Sequence, residues 1–151
     1  LLICGENKHA KADVCILNRN QILLLVQEDK CHFDDSSNPD PEPQLIAEAI
    51  AAFAANNRLR ERTLRLPLHQ SKVIPGITLK GTVPTFYKIP VTTNLVNAVR
   101  WGVYPEQETV VYAHIPDVPR REDLWNQGMK PLDNRKIILS CYEAFKQFVN
   151  Q

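Results

Sequence analysis

Asp13, Glu28 and Lys30 are the residues of this chain whose types and spacing could do chemistry. Glu28, Asp29 and Lys30 close an apolar run from Ile22 to Val26, and Asp13 stands at the head of a second run. Two carboxylates side by side repel, and burial raises the pKa of at least one of them unless a cation joins them. Mg²⁺ or Mn²⁺ suits such a pair, because Mg²⁺ prefers oxygen, keeps several waters and is commonly held by one or two carboxylates plus a substrate phosphate. A metal there would lower the pKa of bound water and offset charge on a phosphodiester in flight. Lys30, two residues beyond Glu28, would orient that water and neutralise the phosphate.

Whether these groups meet depends on strand register. Residues 11–30 read as two apolar strands joined by Asn18-Arg19-Asn20. In an antiparallel pair, opposed and diagonal side chains share a face, and a slip of one residue moves a whole set to the other face. If opposed residue numbers sum to 39 or 41, Asp13 lies opposite Val26 or Glu28 and the two carboxylates share a face. An even sum separates them. Lys11 shares the face of Asp13, where it either neutralises that carboxylate or meets substrate. Ile22, Leu24 and Val26 alternate with Leu23 and Leu25, so the second strand is apolar on both sides, as expected of a central strand in a covered α/β sheet.

The elements around this hairpin follow from composition. Residues 1–4 are a short apolar run read as a first strand leading into the hairpin. Residues 31–43 are a loop rich in Asp, Ser and Pro, ending where Asp40 can cap a helix and Pro41 suits its first turn. Residues 44–57 carry strong helix formers, with Leu45, Ile46, Ala49, Ile50 and Phe53 at helical spacing. Gln44 and Glu48 are four apart on one face, beside the apolar stripe. Arg58, Arg60, Arg62 and Arg65 follow as a local basic cluster. Residues 71–82 and 84–91 are β in character, with Gly76 and Gly81 at bends. Thr92 or Thr93 caps a short helix ending at Gly102, residues 109–115 are a strand, and a short helix falls near Leu124-Trp125. Asp133-Asn134 start a last helix whose Ile137, Ile138, Cys141, Tyr142, Phe145 and Phe148 form a core-facing stripe. Trp101, Trp125 and Tyr87 are expected in packing roles.

The order of Asp13, Glu28-Asp29-Lys30 at the end of an apolar strand and then a helix carrying Gln44 resembles the PD-(D/E)XK nuclease superfamily, over roughly residues 1–57. The resemblance implies a restriction endonuclease-like fold, a mixed central β-sheet flanked by helices with an αβββαβ core. It implies catalytic roles for Asp13, Glu28 and Lys30, metal ligation by Asp13, Glu28 and the Asp29 carbonyl, and hydrolysis of DNA or RNA with Mg²⁺ or Mn²⁺. Gln44 matches a glutamine that some branches place on the following helix, and Lys11, Arg58 and Arg60 are the further candidates for holding substrate. Ala12 stands where the family often has Pro. The family's first helix would lie before Leu1. The runs PEPQLIAEAIAAF and PLDNRKIILSCYEAFKQF are also similar to stretches of mushroom proteins, a fungal likeness that implies no activity.

Size and charge bound the rest. A chain of 151 residues with 44% hydrophobic content is about one ordinary domain with a proper core. The formal net charge of +1 advertises no cationic coat, so polyanion binding would rely on a local patch. This favours the rival reading, a nuclease-fold protein that has lost catalysis and serves as a binding or scaffold module. No apolar run approaches a membrane span, and the four cysteines show no C-x-x-C pairing, in keeping with reduced thiols in an intracellular protein, nuclear or cytoplasmic. A homodimer is compatible with all of this. No G-x-G-x-x-G follows a strand, which leaves a dinucleotide oxidoreductase without support.

Overall fold

The computed structural model describes residues 2–3, 6–7, 14–18, 21–29, 40–122 and 124–149, of which 2, 3, 7 and 27–29 are described by backbone alone. Strands β1 (Leu2–Ile3) and β2 (Glu6–Asn7) pair with each other as an antiparallel ribbon. The strand expected over residues 1–4 therefore pairs within this ribbon and, among the described residues, does not enter the main sheet.

That sheet has five strands in the order β3 (Val14–Asn18), β4 (Gln21–Asp29), β5 (Ser71–Lys80), β6 (Val83–Thr92) and β7 (Tyr112–His114). Every neighbouring pair is antiparallel except β4 and β5, which run parallel from Leu25↔Gly76 to Asp29↔Lys80. Parallel neighbours need a crossover, and helix α1 (Pro41–Leu59) supplies it. The architecture is thus mixed α/β, a five-stranded mixed sheet with helices.

Local chemistry sets the bounds of α1. The Asp40 carboxylate accepts the Glu42 amide proton at 3.0 Å, and Pro41 and Pro43 lie in the first turn, where their missing N–H groups cost nothing. Beyond Leu59 the helix widens into a π-helical turn, Arg60–Leu64, closed by Arg65 in a left-handed conformation at φ 52°. Helix α2 (Thr93–Trp101) takes Thr92 as its cap, the hydroxyl accepting from the Leu95 amide at 3.1 Å, and ends at Gly102 with φ 64°. Strand β1 lies against α2.

The sheet is covered on both faces where β4 and β5 run. On one face Leu45, Ala49 and Phe53 of α1 pack on Leu25, Ile74, Tyr87 and Ile89. Gly76 permits this closeness, because a Cβ there would stand 3.0 Å from the fully buried Leu45. On the other face Phe145 of helix α4 (Leu132–Val149) packs on Leu24, Ile77 and Phe86. Ile138 of α4 joins Val83, Val118 and Leu124, the last on the short helix α3 (Leu124–Gln127). β4 is the doubly covered strand expected, whereas its hairpin partner β3 is a sheet edge with Val14 and Leu17 more than half exposed.

Three expectations change. Ile137 is exposed, because the buried stripe of α4 runs through Ile138 and Phe145, and Ile137 sits one position around the helix from it. Trp101 and Trp125 are exposed at 70% and 43%, while Tyr87 is in the core. The strand expected over residues 109–115 pairs only at Tyr112–His114, where it meets Phe86, Tyr87 and Lys88 of β6.

Three asparagines stand in for backbone where the sheet and loops run out of partners. Asn56 accepts the Ile22 amide proton at 2.8 Å and donates to the Ile22 carbonyl at 2.9 Å. Asn57 brackets His69 in the same way at 2.9 Å on both sides. Asn134, fully buried, accepts from the Arg120 amide at 3.1 Å and donates to the carbonyls of Arg120 and Gly128 at 3.4 Å. A side-chain amide sets an N–H donor beside a carbonyl acceptor, as a peptide group does, and its NH₂ can donate twice, which is why Asn serves at each position.

Candidate active site

The end of β4 is fixed by its parallel neighbour. Glu28 pairs with Leu79 and Asp29 with Lys80, so both acidic positions stand at the carboxyl end of the strand. After a parallel crossover the connecting helix starts at that end and finishes where the next strand begins, which places the first turn of α1 beside the rim. Asp40 and Glu42 therefore approach it from the helix side, and Gln44 and Glu48 follow on the next turns.

Spacing puts Gln44 and Glu48 on one helix face beside the apolar stripe. They are neighbours: the Gln44 Nε2 donates to Glu48 Oε1 at 3.1 Å. Glu48, however, is 3% exposed and belongs to the interior. A carboxylate so placed is costly unless its oxygens are bonded, and the Gln44 amide supplies one such bond.

A polar neighbourhood at the same end of the sheet joins residues far apart in the sequence. The Tyr87 hydroxyl lies near the Thr78 side chain and near Glu42. Thr78 is the Cα partner of Gln27, the residue before Glu28, and Tyr87 is the partner of Gly76 on the next strand. Burial pushes the Tyr87 phenol up to about 12, and the charges of Glu42 and Asp40 add to the effect against the opposing influence of Thr78. At neutral pH Tyr87 is thus a proton donor aimed at the first turn of α1. The only signal in the sequence was alternation along β6, which puts Tyr87 on the face of Ile89 and Val91.

The register of the hairpin differs from the one the paired carboxylates require. Val14↔Val26, Cys15↔Leu25 and Ile16↔Leu24 sum to 40, while Leu17↔Ile22 and Asn18↔Gln21 sum to 39. A bulge between Ile16 and Leu17 produces the change. The pairs nearest the rim therefore belong to the even class, the class that separates Asp13 from Glu28 if it continues. Asp13, Lys11 and Lys30 lie outside the described residues, and Glu28 and Asp29 are placed by backbone alone.

Arg58 and Arg60 are not brought to this rim. They sit at the far end of α1, and at 1.5 Å per residue Arg60 lies about 24 Å along the helix from Gln44. There Arg60 Nε donates to the Pro67 carbonyl at 2.8 Å. His69 is held below its ordinary pKa by burial and then by the charges of Arg60 and Lys72, and Lys72 by burial and Arg60.

A second polar cluster lies between β7 and α4. Cys141 Sγ is 3.7 Å from His114 Nε2 at a cleft of about 340 Å³ lined by Phe86, Lys88, Tyr112 and Phe148. Burial pushes the Cys141 thiol up, so it is held protonated and is a poor nucleophile at neutral pH. Among the described residues, no three His, Cys, Asp or Glu side chains converge as a metal-binding group. No helix of the described residues is long and apolar enough to cross a membrane. Comparison with protein-family models, with curated proteins and with solved structures gives no match for this chain.

Proposed function

We propose that this chain is a metal-dependent nuclease of the PD-(D/E)XK type, hydrolysing phosphodiester bonds of DNA or RNA. The observation that carries the reading is the order antiparallel hairpin, crossover helix, parallel strand, with Glu28-Asp29 at the end of the hairpin's second strand and α1 starting beside it. That is the order of the superfamily's αβββαβ core from its second strand onward. Oxygen donors near the rim support a hard cation: Asp40 and Glu42 stand in or before the first turn of α1, and Thr78 is the Cα partner of Gln27.

On this reading Asp13 and Glu28 hold Mg²⁺ or Mn²⁺ together with the Asp29 carbonyl, and Lys30 orients the attacking water. The bound metal supplies Lewis-acid activation of that water and charge neutralisation at the phosphate. Gln44 meets the substrate beside the rim. The partner is nucleic acid.

The even register at Val14↔Val26 favours the second reading, a nuclease-fold binding or scaffold protein without catalysis. A metal titration followed by thermal unfolding separates the two. A metal site on the folded chain raises stability by about 2.7 kcal/mol at a hundredfold excess over its dissociation constant. The Glu28→Ala variant loses that gain on the nuclease reading. Equal stabilisation of wild type and variant, or of neither, leaves the binding module as the better account.

A further inference from the structure

The β7 edge of the sheet carries a cleft with its own construction. In the antiparallel pairing of β6 and β7, Phe86 stands opposite His114 and Lys88 opposite Tyr112. Residues two apart on a strand share a face, and opposed residues share it across the pair, so the four side chains form one patch. Helix α4 sets Cys141, Ala144, Phe145 and Phe148 against that patch, at the i, i+3, i+4 and i+7 spacing of a single helix face. The buried Phe145 ring closes the inner end, its centroid 5.0 Å from that of Phe86 and 5.7 Å from that of Phe148. The short side chain of Ala144 and the short strand β7 leave between them a cleft of about 340 Å³.

The charge in this cleft is of one sign. Lys88 Nζ lies over the ring faces of Tyr112 at 5.3 Å and Phe148 at 4.9 Å, which hold the half-buried ammonium at the cleft wall. Among the described residues Lys88 forms no ion pair. No described Asp or Glu lines the cleft, and Glu143, the one carboxylate between Cys141 and Phe148, is paired with Lys146. The Cys141 thiol, 3.7 Å from His114 Nε2 and kept protonated by burial, adds no negative charge. Aromatic walls with one placed cation suit a flat apolar body with an anionic end. An apolar cavity of about 150 Å³ takes a benzene ring, so this cleft has room for roughly a dozen heavy atoms.

We propose that the cleft between β7 and α4 binds a small aromatic monocarboxylate, its ring against Phe86 and Phe148 and its carboxylate on the Lys88 ammonium. A nucleoside monophosphate, nearly twice that size, is too large for it. The site lies on the α4 face of the sheet, with Leu24 and Ile77, whereas α1 covers the opposite face. It takes neither metal nor nucleic acid and so stands apart from the nuclease reading.

Isothermal calorimetry with naphthoate, naphthalenemethanol and thymidine monophosphate tests the proposal. Wild type should bind naphthoate with sub-millimolar affinity, at least about tenfold more tightly than the neutral alcohol, as one hydrogen bond to a charged group gives. It should not bind the nucleotide. Lys88→Met, which keeps the aliphatic stem, should bring acid and alcohol to the same affinity. Ala144→Phe, at an exposed helical position, should fill the cleft and abolish binding of both. Bound naphthoate should also slow alkylation of Cys141, followed by peptide mass spectrometry, and leave that of the exposed Cys15 on β3 unchanged. Absence of naphthoate binding, equal affinity of acid and alcohol in wild type, nucleotide binding as tight as that of naphthoate, or naphthoate affinity unchanged in Lys88→Met and Ala144→Phe overturns the proposal. The comparison of acid with alcohol uses wild type alone, so it decides the matter even where a substitution disturbs the fold.

Discussion

Asn56 holds both backbone groups of Ile22, accepting from its amide at 2.8 Å and donating to its carbonyl at 2.9 Å. The pairing of β4 with β5 begins only at Leu25, so the edge of β4 at Ile22 faces no strand. Asn56, buried on α1, occupies the place of the missing strand and ties helix to sheet. Asn56→Ala leaves a buried amide and carbonyl without partners and should cost about 2 to 4 kcal/mol, read as a lower midpoint in urea unfolding. Asn56→Asp, which keeps the acceptor and loses the donor, should also destabilise the fold.

Gly128 gives a second stability prediction. Its φ is +51°, and a Cβ there would overlap the Thr82 hydroxyl, which accepts the Met129 amide proton at 3.0 Å. Gly128→Ala should therefore cost about 3 kcal/mol or more, combining left-handed strain of about 1 to 2 kcal/mol with steric displacement of Thr82. Circular dichroism melting of the variant checks it.

The hairpin shows how much the sequence could tell. Apolar alternation from Ile22 to Val26 marked β4 as doubly covered, and Leu24 and Leu25 are buried on opposite faces as that pattern requires. The cap at Asp40 and the alanine-rich run gave α1 nearly to its bounds. Register was not legible, because a single bulge between Ile16 and Leu17 shifts it and no residue type there announces one. The burial of Glu48 and the approach of Tyr87 to Glu42 depend on contacts between residues that are distant in sequence, which periodicity does not encode. The distance of Arg60 from the rim became visible only when β4 and β5 proved parallel.

The Tyr87 phenol should be the last of the four tyrosines to ionise, or among the last. It is pushed up to about 12, so its neutral form is favoured by folding. The associated stability is present below the ordinary tyrosine value of about 10 and is lost as pH rises from there toward 12. Absorbance titration of the phenolate, compared with Tyr87→Phe, should show a step near 12 missing in the variant.

His69 acts in the opposite direction. Its folded-state pKa is depressed by burial and by Arg60 and Lys72, so the folded chain takes up its proton less readily than the unfolded chain does. Stability from this group is full above the ordinary histidine value of about 6.5 and falls as pH drops through that value toward the folded one. Melting temperature should therefore rise with pH across this window, and His69→Gln should flatten the rise. The backbone of residue 69 stays bracketed by Asn57 in the variant, so the comparison isolates the imidazole.

Cleavage is the most direct measure of the central claim. Purified protein incubated with single- and double-stranded DNA and RNA should cut with Mg²⁺ or Mn²⁺, stop in chelator, and lose at least about a hundredfold in rate in Glu28→Ala and in Lys30→Ala. Cleavage that survives chelation, or that is unchanged in Glu28→Ala, would contradict the account.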